Sequence, residues 1–92
     1  MSVVTHLGAP RLHAKVRLQR DDVRGRDVLL YPEGLVTLNG TGVEILRLCD
    51  GTRSVADIVA TLEGRYGASD LERDITAFLD GLAAKGLVTY GL

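Results

Sequence analysis

Covalent chemistry has few places to start in a chain of 92 residues with one cysteine and two histidines. Nucleophilic catalysis needs a nucleophile with a base in reach. Cys49 closes the run Ile45-Leu46-Arg47-Leu48-Cys49, on the apolar face of a helical pattern. Cysteine in that setting packs as a small hydrophobe rather than acting as a thiolate. His6 and His13 have no third ligand at suitable spacing, so they read as surface side chains and no zinc pattern forms. Asn39-Gly40-Thr41-Gly42 places glycines ahead of a helix, as a phosphate loop does, but lacks the Gly-Lys-Ser/Thr ending. It therefore reads as a helix start. The carboxylates of Asp21, Asp22 and Asp70 fall in loops and caps. The sequence predicts no enzyme, no metal and no cofactor.

Composition narrows the partners. A net charge of −1 argues against life on nucleic acid or on an anionic membrane. The lone cysteine excludes an internal disulfide framework and suits a reducing compartment. No apolar run approaches the roughly 18 residues of a membrane-spanning helix. Met1 to His13 lacks the basic start and apolar core of a signal peptide. A cytoplasmic protein with no membrane partner is expected.

The elements that would position any binding site follow from periodicity. Residues 1–12 are weakly patterned and contain Gly8 and Pro10, which reads as a flexible arm ahead of a single domain over 13–92. From Ala14, apolar Ala14, Val16 and Leu18 alternate with Lys15, Arg17 and Gln19, the period of a half-wet strand. Arg20 to Gly25 is a polar hairpin loop. A second strand is predicted over about Asp27–Tyr31 and a third over Leu35–Leu38. They are joined by Pro32-Glu33-Gly34, in which Pro presets φ and Gly accepts a positive φ.

Three helices are predicted next. The first has two candidate caps, Asn39 and the Thr41/Glu44 box, and Asp50-Gly51 supplies its left-handed end. The second is capped by Ser54 with Asp57, carries the stripe Val55, Ile58, Val59, Leu62, Tyr66, and stops at Gly67. The third takes Ser69 and Glu72 as a capping box, the stripe Leu71, Ile75, Phe78, Leu79, Leu82, and Lys85-Gly86 as its end. Leu79 and Leu82 are assigned to the core, whereas Phe78 suits core or groove. Leu87 to Tyr90 is a last extended piece, readable as a wing strand. The predicted class is α+β and winged-helix-like, a three-stranded antiparallel sheet followed by three helices.

Such a fold raises DNA binding as a possibility, in the form of a winged-helix transcription regulator. Its recognition helix should offer Arg, Lys, Asn or Gln to the major groove. The third helix instead carries Asp70, Glu72, Asp74 and Asp80 against Arg73 and Lys85, a charge that phosphates repel. A small structural subunit of an oligomer is a further alternative. The strand half is basic, with Arg11, Lys15, Arg17, Arg20, Arg24 and Arg26. That is either a solvated strand face or a surface for an extended, partly acidic polypeptide. A meander has free edges, and a free edge is a template for an added strand.

Leu30-Tyr31-Pro32-Glu33-Gly34, Leu38-Asn39, Ile45-Leu46-x-Leu48-Cys49-Asp50-Gly51, Ser54-Val55 and Lys85-Gly86-Leu87 occur in this order. The succession, over about Leu12 to Tyr90, resembles the PqqD family of pyrroloquinoline quinone biosynthesis. The resemblance implies a non-catalytic peptide chaperone with a winged-helix-like recognition domain for leader peptides. It implies the precursor peptide PqqA as ligand. The partner would be the radical S-adenosylmethionine enzyme PqqE, which holds the iron–sulfur clusters and cross-links a Glu and a Tyr of the peptide. It also implies that the peptide adds as a strand beside the third strand, over a groove bordered by the third helix. Carried onto this chain, the peptide-binding residues are Leu35, Val36, Thr37 and Leu38 on one side and Leu71, Asp74, Ile75 and Phe78 on the other. An unpaired edge and a loose arm leave a monomer and a homodimer both open.

Overall fold

The computed structural model of the chain describes residues 8–91. In chain order its elements are β1 (Ala9–Leu12), β2 (Arg17–Asp21), β3 (Arg26–Tyr31), β4 (Gly34–Leu38), α1 (Gly40–Arg47), α2 (Val55–Tyr66), α3 (Glu72–Ala84) and β5 (Val88–Gly91). The class is α+β, with three helices and antiparallel sheets. One sheet has the order β2-β3-β4 and a second pairs β1 with β5.

The register of the larger sheet follows from burying one face. Leu18, Leu29 and Val36 lie opposite one another across the three strands, and Leu29 is wholly buried. The strand predicted from Ala14, here β2, starts later than the alternation suggested. Ala14 and Lys15 instead form a turn, in which the Val16 N–H donates to the His13 carbonyl at 2.9 Å. The β3–β4 turn also differs in detail. Gly34 is not in the left-handed region; among the described residues that conformation belongs to Gly25, Gly51, Gly67, Gly86 and Asp70.

Local signals placed two helix starts and missed a third. Asn39 caps α1, its side-chain oxygen accepting the Gly42 N–H at 2.7 Å. Ser54 and Asp57 exchange both bonds of a capping box at α2, which Gly67 ends at φ 62°. The box expected from Ser69 and Glu72 does not form, because α3 begins at Glu72 itself and Glu72 is therefore not the third helical residue. The chain turns through Asp70 at φ 63°, no side chain caps α3, and a side chain from α2 instead holds the residue just before it. Glu63 Oε2 accepts the Leu71 N–H at 3.0 Å. Gly51 is also reassigned. Leu48 caps α1, and the Gly51 N–H donates to the Pro10 carbonyl at 3.1 Å.

That last bond bears on the N-terminal arm. The last four residues of the segment assigned to it, Ala9–Leu12, are strand β1, paired from Ala9↔Gly91 to Leu12↔Val88 and bridged on the other side through Arg11↔Asp50. Pro10 is fully buried. A four-residue strand containing proline has no readable alternation, and its partners are remote in sequence. Residues 1–7, and His6 with them, lie outside the described residues. Leu87 to Tyr90 does contain a strand, but its partner is β1 rather than the meander. The core between the sheets and helices is built on Leu29, Val55, Ile58, Leu62 and Leu79, all at 0 % exposure, with Leu82 close behind.

Candidate functional site

The turn between β3 and β4 dictates what the outer edge of β4 presents. Only Pro32 and Glu33 separate the partners Tyr31 and Gly34, so these two must exchange both backbone bonds. In an antiparallel ladder such pairs alternate with pairs that make none. Gly34, Val36 and Leu38 therefore spend their N–H and C=O groups on β3, whereas those of Leu35 and Thr37 point away from the sheet. β4 is an edge strand, so those groups line its outer side. Leu35 is 52 % exposed and Thr37 is exposed, while Val36 is half-buried and Leu38 is buried in the core.

A groove of about 400 Å³ opens where β4 ends, between the start of α1, the end of α2 and the first half of α3. Leu71, Asp74, Ile75 and Phe78 all line it. The β4 residues do not, but Asn39, directly after Leu38, does. The structure thus brings Leu71 and the three α3 positions into one concavity and sets the strand positions along the approach to it. Ile45 and Leu62 deepen its apolar floor, and Thr41 and Tyr66 add hydroxyl groups. Asp74 is the one charged side chain of the lining among the described residues.

Two features of this groove were outside the sequence-based site. Gly42 lets α1 approach α3: a Cβ there would stand 3.2 Å from Phe78 Cζ and 3.3 Å from Asn39 Oδ1. The signal was present, since Gly42 was noted at the helix start, but its neighbour lies 36 residues away in the chain. Glu63 sets where α3 begins and hence where Leu71 stands. Ile45, Leu62 and Tyr66 were read as core stripe, and periodicity alone does not separate a core face from a groove floor. Behind the groove, Arg65 of α2 and Glu44 of α1 form an ion pair.

The candidate nucleophile is packed as a core side chain. Cys49 is buried, and its thiol donates to the Ile45 carbonyl at 3.3 Å. Burial, then the neighbouring Asp50 charge, pushes its pKa up to about 12. Thiolate is scarce at neutral pH under those conditions. His13 Nδ1 accepts the Lys15 backbone N–H at 3.1 Å. Among the described residues, no three His, Cys, Asp or Glu side chains are placed to hold a metal ion, and no helix is long and apolar enough to cross a membrane.

This pairing of a neutral strand edge with an apolar groove can be compared with known proteins. The family described as "Coenzyme PQQ synthesis protein D (PqqD)" matches residues 27–88. A protein of Rhodopseudomonas palustris named "PqqA binding protein" is 42% identical over 88 residues, covering 94% of this chain and 86% of that one. The solution structure of the PqqD truncation of Methylobacterium extorquens PqqCD, described as a functional and stand-alone recognition element for ribosomally synthesized and post-translationally modified peptides, superposes with a TM-score of 0.74. It is 40% identical and covers 87% of each chain. The crystal structure of PqqD from Xanthomonas campestris gives a TM-score of 0.57 at 38% identity, covering 83% of this chain and 87% of that one. Identity at this level over most of both chains makes the present chain a member of the PqqD family.

Proposed function

We propose that this protein is a peptide chaperone of pyrroloquinoline quinone biosynthesis, which binds the precursor peptide PqqA and delivers it to the radical S-adenosylmethionine enzyme PqqE. The observation that carries the reading is the open edge of β4, with the free backbone groups of Leu35 and Thr37, running into the groove on α3. An extended peptide completes those backbone bonds as a fourth strand, and its alternate side chains reach the groove. Leu35 and Thr37 act through their main chain, and Val36 and Leu38 hold the strand in register against the core. Leu71, Asp74, Ile75 and Phe78 form the facing wall. In this role a winged-helix-like, cytoplasmic domain works without turnover of its own, since the cross-linking chemistry belongs to the partner. The names of the relatives support the peptide ligand, and delivery to PqqE is our extension of them.

Calorimetric titration with PqqA tests this directly. Saturable binding is expected, with amide resonances of Leu35 to Leu38 and of the first half of α3 moving together. Absence of binding to PqqA, or tighter binding to duplex DNA, overturns the reading. The acidic start of α3 speaks against DNA on electrostatic grounds.

A further inference from the structure

A second concavity lies at the other end of α3. Two segments noted in the sequence, Tyr31-Pro32-Glu33-Gly34 and Lys85-Gly86-Leu87, meet there beside the turn that precedes β2. Together they enclose about 290 Å³. Lys15 and Lys85 both line it, and neither has an ion-pair partner among the described residues. Glu33 shares the rim without pairing with either. His13 also lines the concavity; its Nδ1 accepts the Lys15 backbone N–H, which leaves Nε2 as the donor, and Tyr31 adds a hydroxyl group. Two ammonium groups against one carboxylate, with two neutral donors beside them, suit a carboxylate ligand.

Placement ties this cluster to the peptide track. Asp74 stands in the groove at the β4 exit, and Lys85, which caps the end of α3 eleven residues later, stands by the turn at the β4 entry. That separates the two charges by about 16 Å along the helix axis. An extended strand of five residues covers a similar length, about 17 Å. A peptide that lies along β4 and continues past the Pro32-Glu33 turn would run from the carboxylate of Asp74 toward the two ammonium groups.

We propose that Lys15 and Lys85 form a subsite for a carboxylate side chain of the bound peptide, and that the opposed charges at the two ends of α3 fix which way the peptide's charges lie. This rests on the peptide-binding reading above and goes beyond it in naming a charge pattern for the ligand.

The test is titration of the full chain and of a Lys15→Glu/Lys85→Glu variant with two probes. One is PqqA, and the other is PqqA with every Asp and Glu replaced by its amide. Two exposed ion pairs predict a loss of about three- to tenfold in affinity for native PqqA at low salt. The loss should shrink at high salt and be absent with the amide probe. Glu33→Gln should tighten native PqqA about twofold. If the double reversal perturbs the melt, Lys15→Gln/Lys85→Gln provides the same comparison with a smaller loss. Equal losses for both probes, or no loss with native PqqA, overturn the subsite while leaving peptide binding intact. A variant that binds PqqA normally but fails to bind PqqE overturns it too, by reassigning the lysines to the enzyme. Failure of the unaltered chain to bind PqqA removes the peptide-binding reading itself and the subsite with it.

Discussion

The two edges of the three-stranded sheet are built from the same backbone and differ in what they permit. On β2, the residues with outward-pointing N–H and C=O groups are Leu18 and Arg20, by the same alternation that gives Leu35 and Thr37 on β4. Yet β2 reads Arg-Leu-Gln-Arg-Asp and β4 reads Gly-Leu-Val-Thr-Leu. Arg20 pairs with Asp27 at 3.2 Å and lies near Asp22, and Arg24 holds Asp21 across the hairpin loop. A strand added to β2 would have to settle among these charges and strip water from them. Charge on an edge is a known device against strand addition, and β4 lacks it. On the proposed reading, side chains rather than hydrogen-bonding capacity distinguish the guarded edge of β2 from the receptive edge of β4.

The largest expected effect comes from undercutting the helix that stands beside β4. Leu79 is fully buried beneath α3, and Leu79→Ala should cost about 2–5 kcal/mol of folding stability. Urea denaturation measures it. Peptide affinity, measured where the variant is folded, should change far less. A loss of affinity larger than the loss of stability would mean that the core and groove sides of α3 are not separate.

A more direct contrast uses proline on each edge. Thr37→Pro removes an outward N–H without touching the β3 ladder, so the fold should survive with a modest drop in melting temperature. Loss of an edge bond and intrusion of the ring should weaken PqqA by roughly tenfold or more. Arg20→Pro removes the equivalent outward N–H from β2 and should leave affinity unchanged. Reversal of that pattern would move the peptide to the other edge.

What could be read in advance divides along the same physical line. Elements with local causes were legible: the alternation around Leu18, the caps at Asn39 and Ser54, and the stripes of α2 and α3 are all encoded within a few residues. β1 was not, because Pro10 is buried by partners near residues 51 and 90, and nothing within the strand itself announces them. The start of α3 was misread for the same reason, since the residue before it, Leu71, is held by Glu63 on another helix. On the site, Leu71, Asp74, Ile75 and Phe78 were placed through the family resemblance, and the groove contains all four. Gly42 and Ile45, which complete it, are defined by a helix–helix approach that no single segment reveals.

A third experiment converts one edge toward the other. Leu35→Lys or Thr37→Lys places on β4 the kind of charge that β2 carries. Both positions are exposed, so folding stability should stay within about 0.5 kcal/mol. Affinity for PqqA should fall by about 1 kcal/mol as the ammonium group loses water beside the incoming strand. Unchanged affinity for both variants would show that charge does not close this edge, and the contrast between β2 and β4 would need another cause.

The smallest effect concerns the one charge that the receptive side does keep. Asp74 lies on the wall of the groove rather than on the strand, where it can meet a peptide side chain without obstructing the backbone bonds of β4. It also sits in the first turn of α3, where a carboxylate favours the helix dipole by a few tenths of a kcal/mol. Asp74→Ala should therefore lower stability only by about that amount, while PqqA affinity falls by about 1 kcal/mol, the range of an exposed charge-assisted contact. Asp74→Asn separates the two contributions, because it keeps an acceptor and loses the charge. If Asn restores affinity, the contact is a hydrogen bond. If Asn behaves as Ala and both effects fade with salt, it is Coulombic. An affinity unchanged in both variants would make Asp74 a helix-start residue only. The β4 edge would then differ from the β2 edge by the absence of charge alone, with no reading of the peptide's charge at that end.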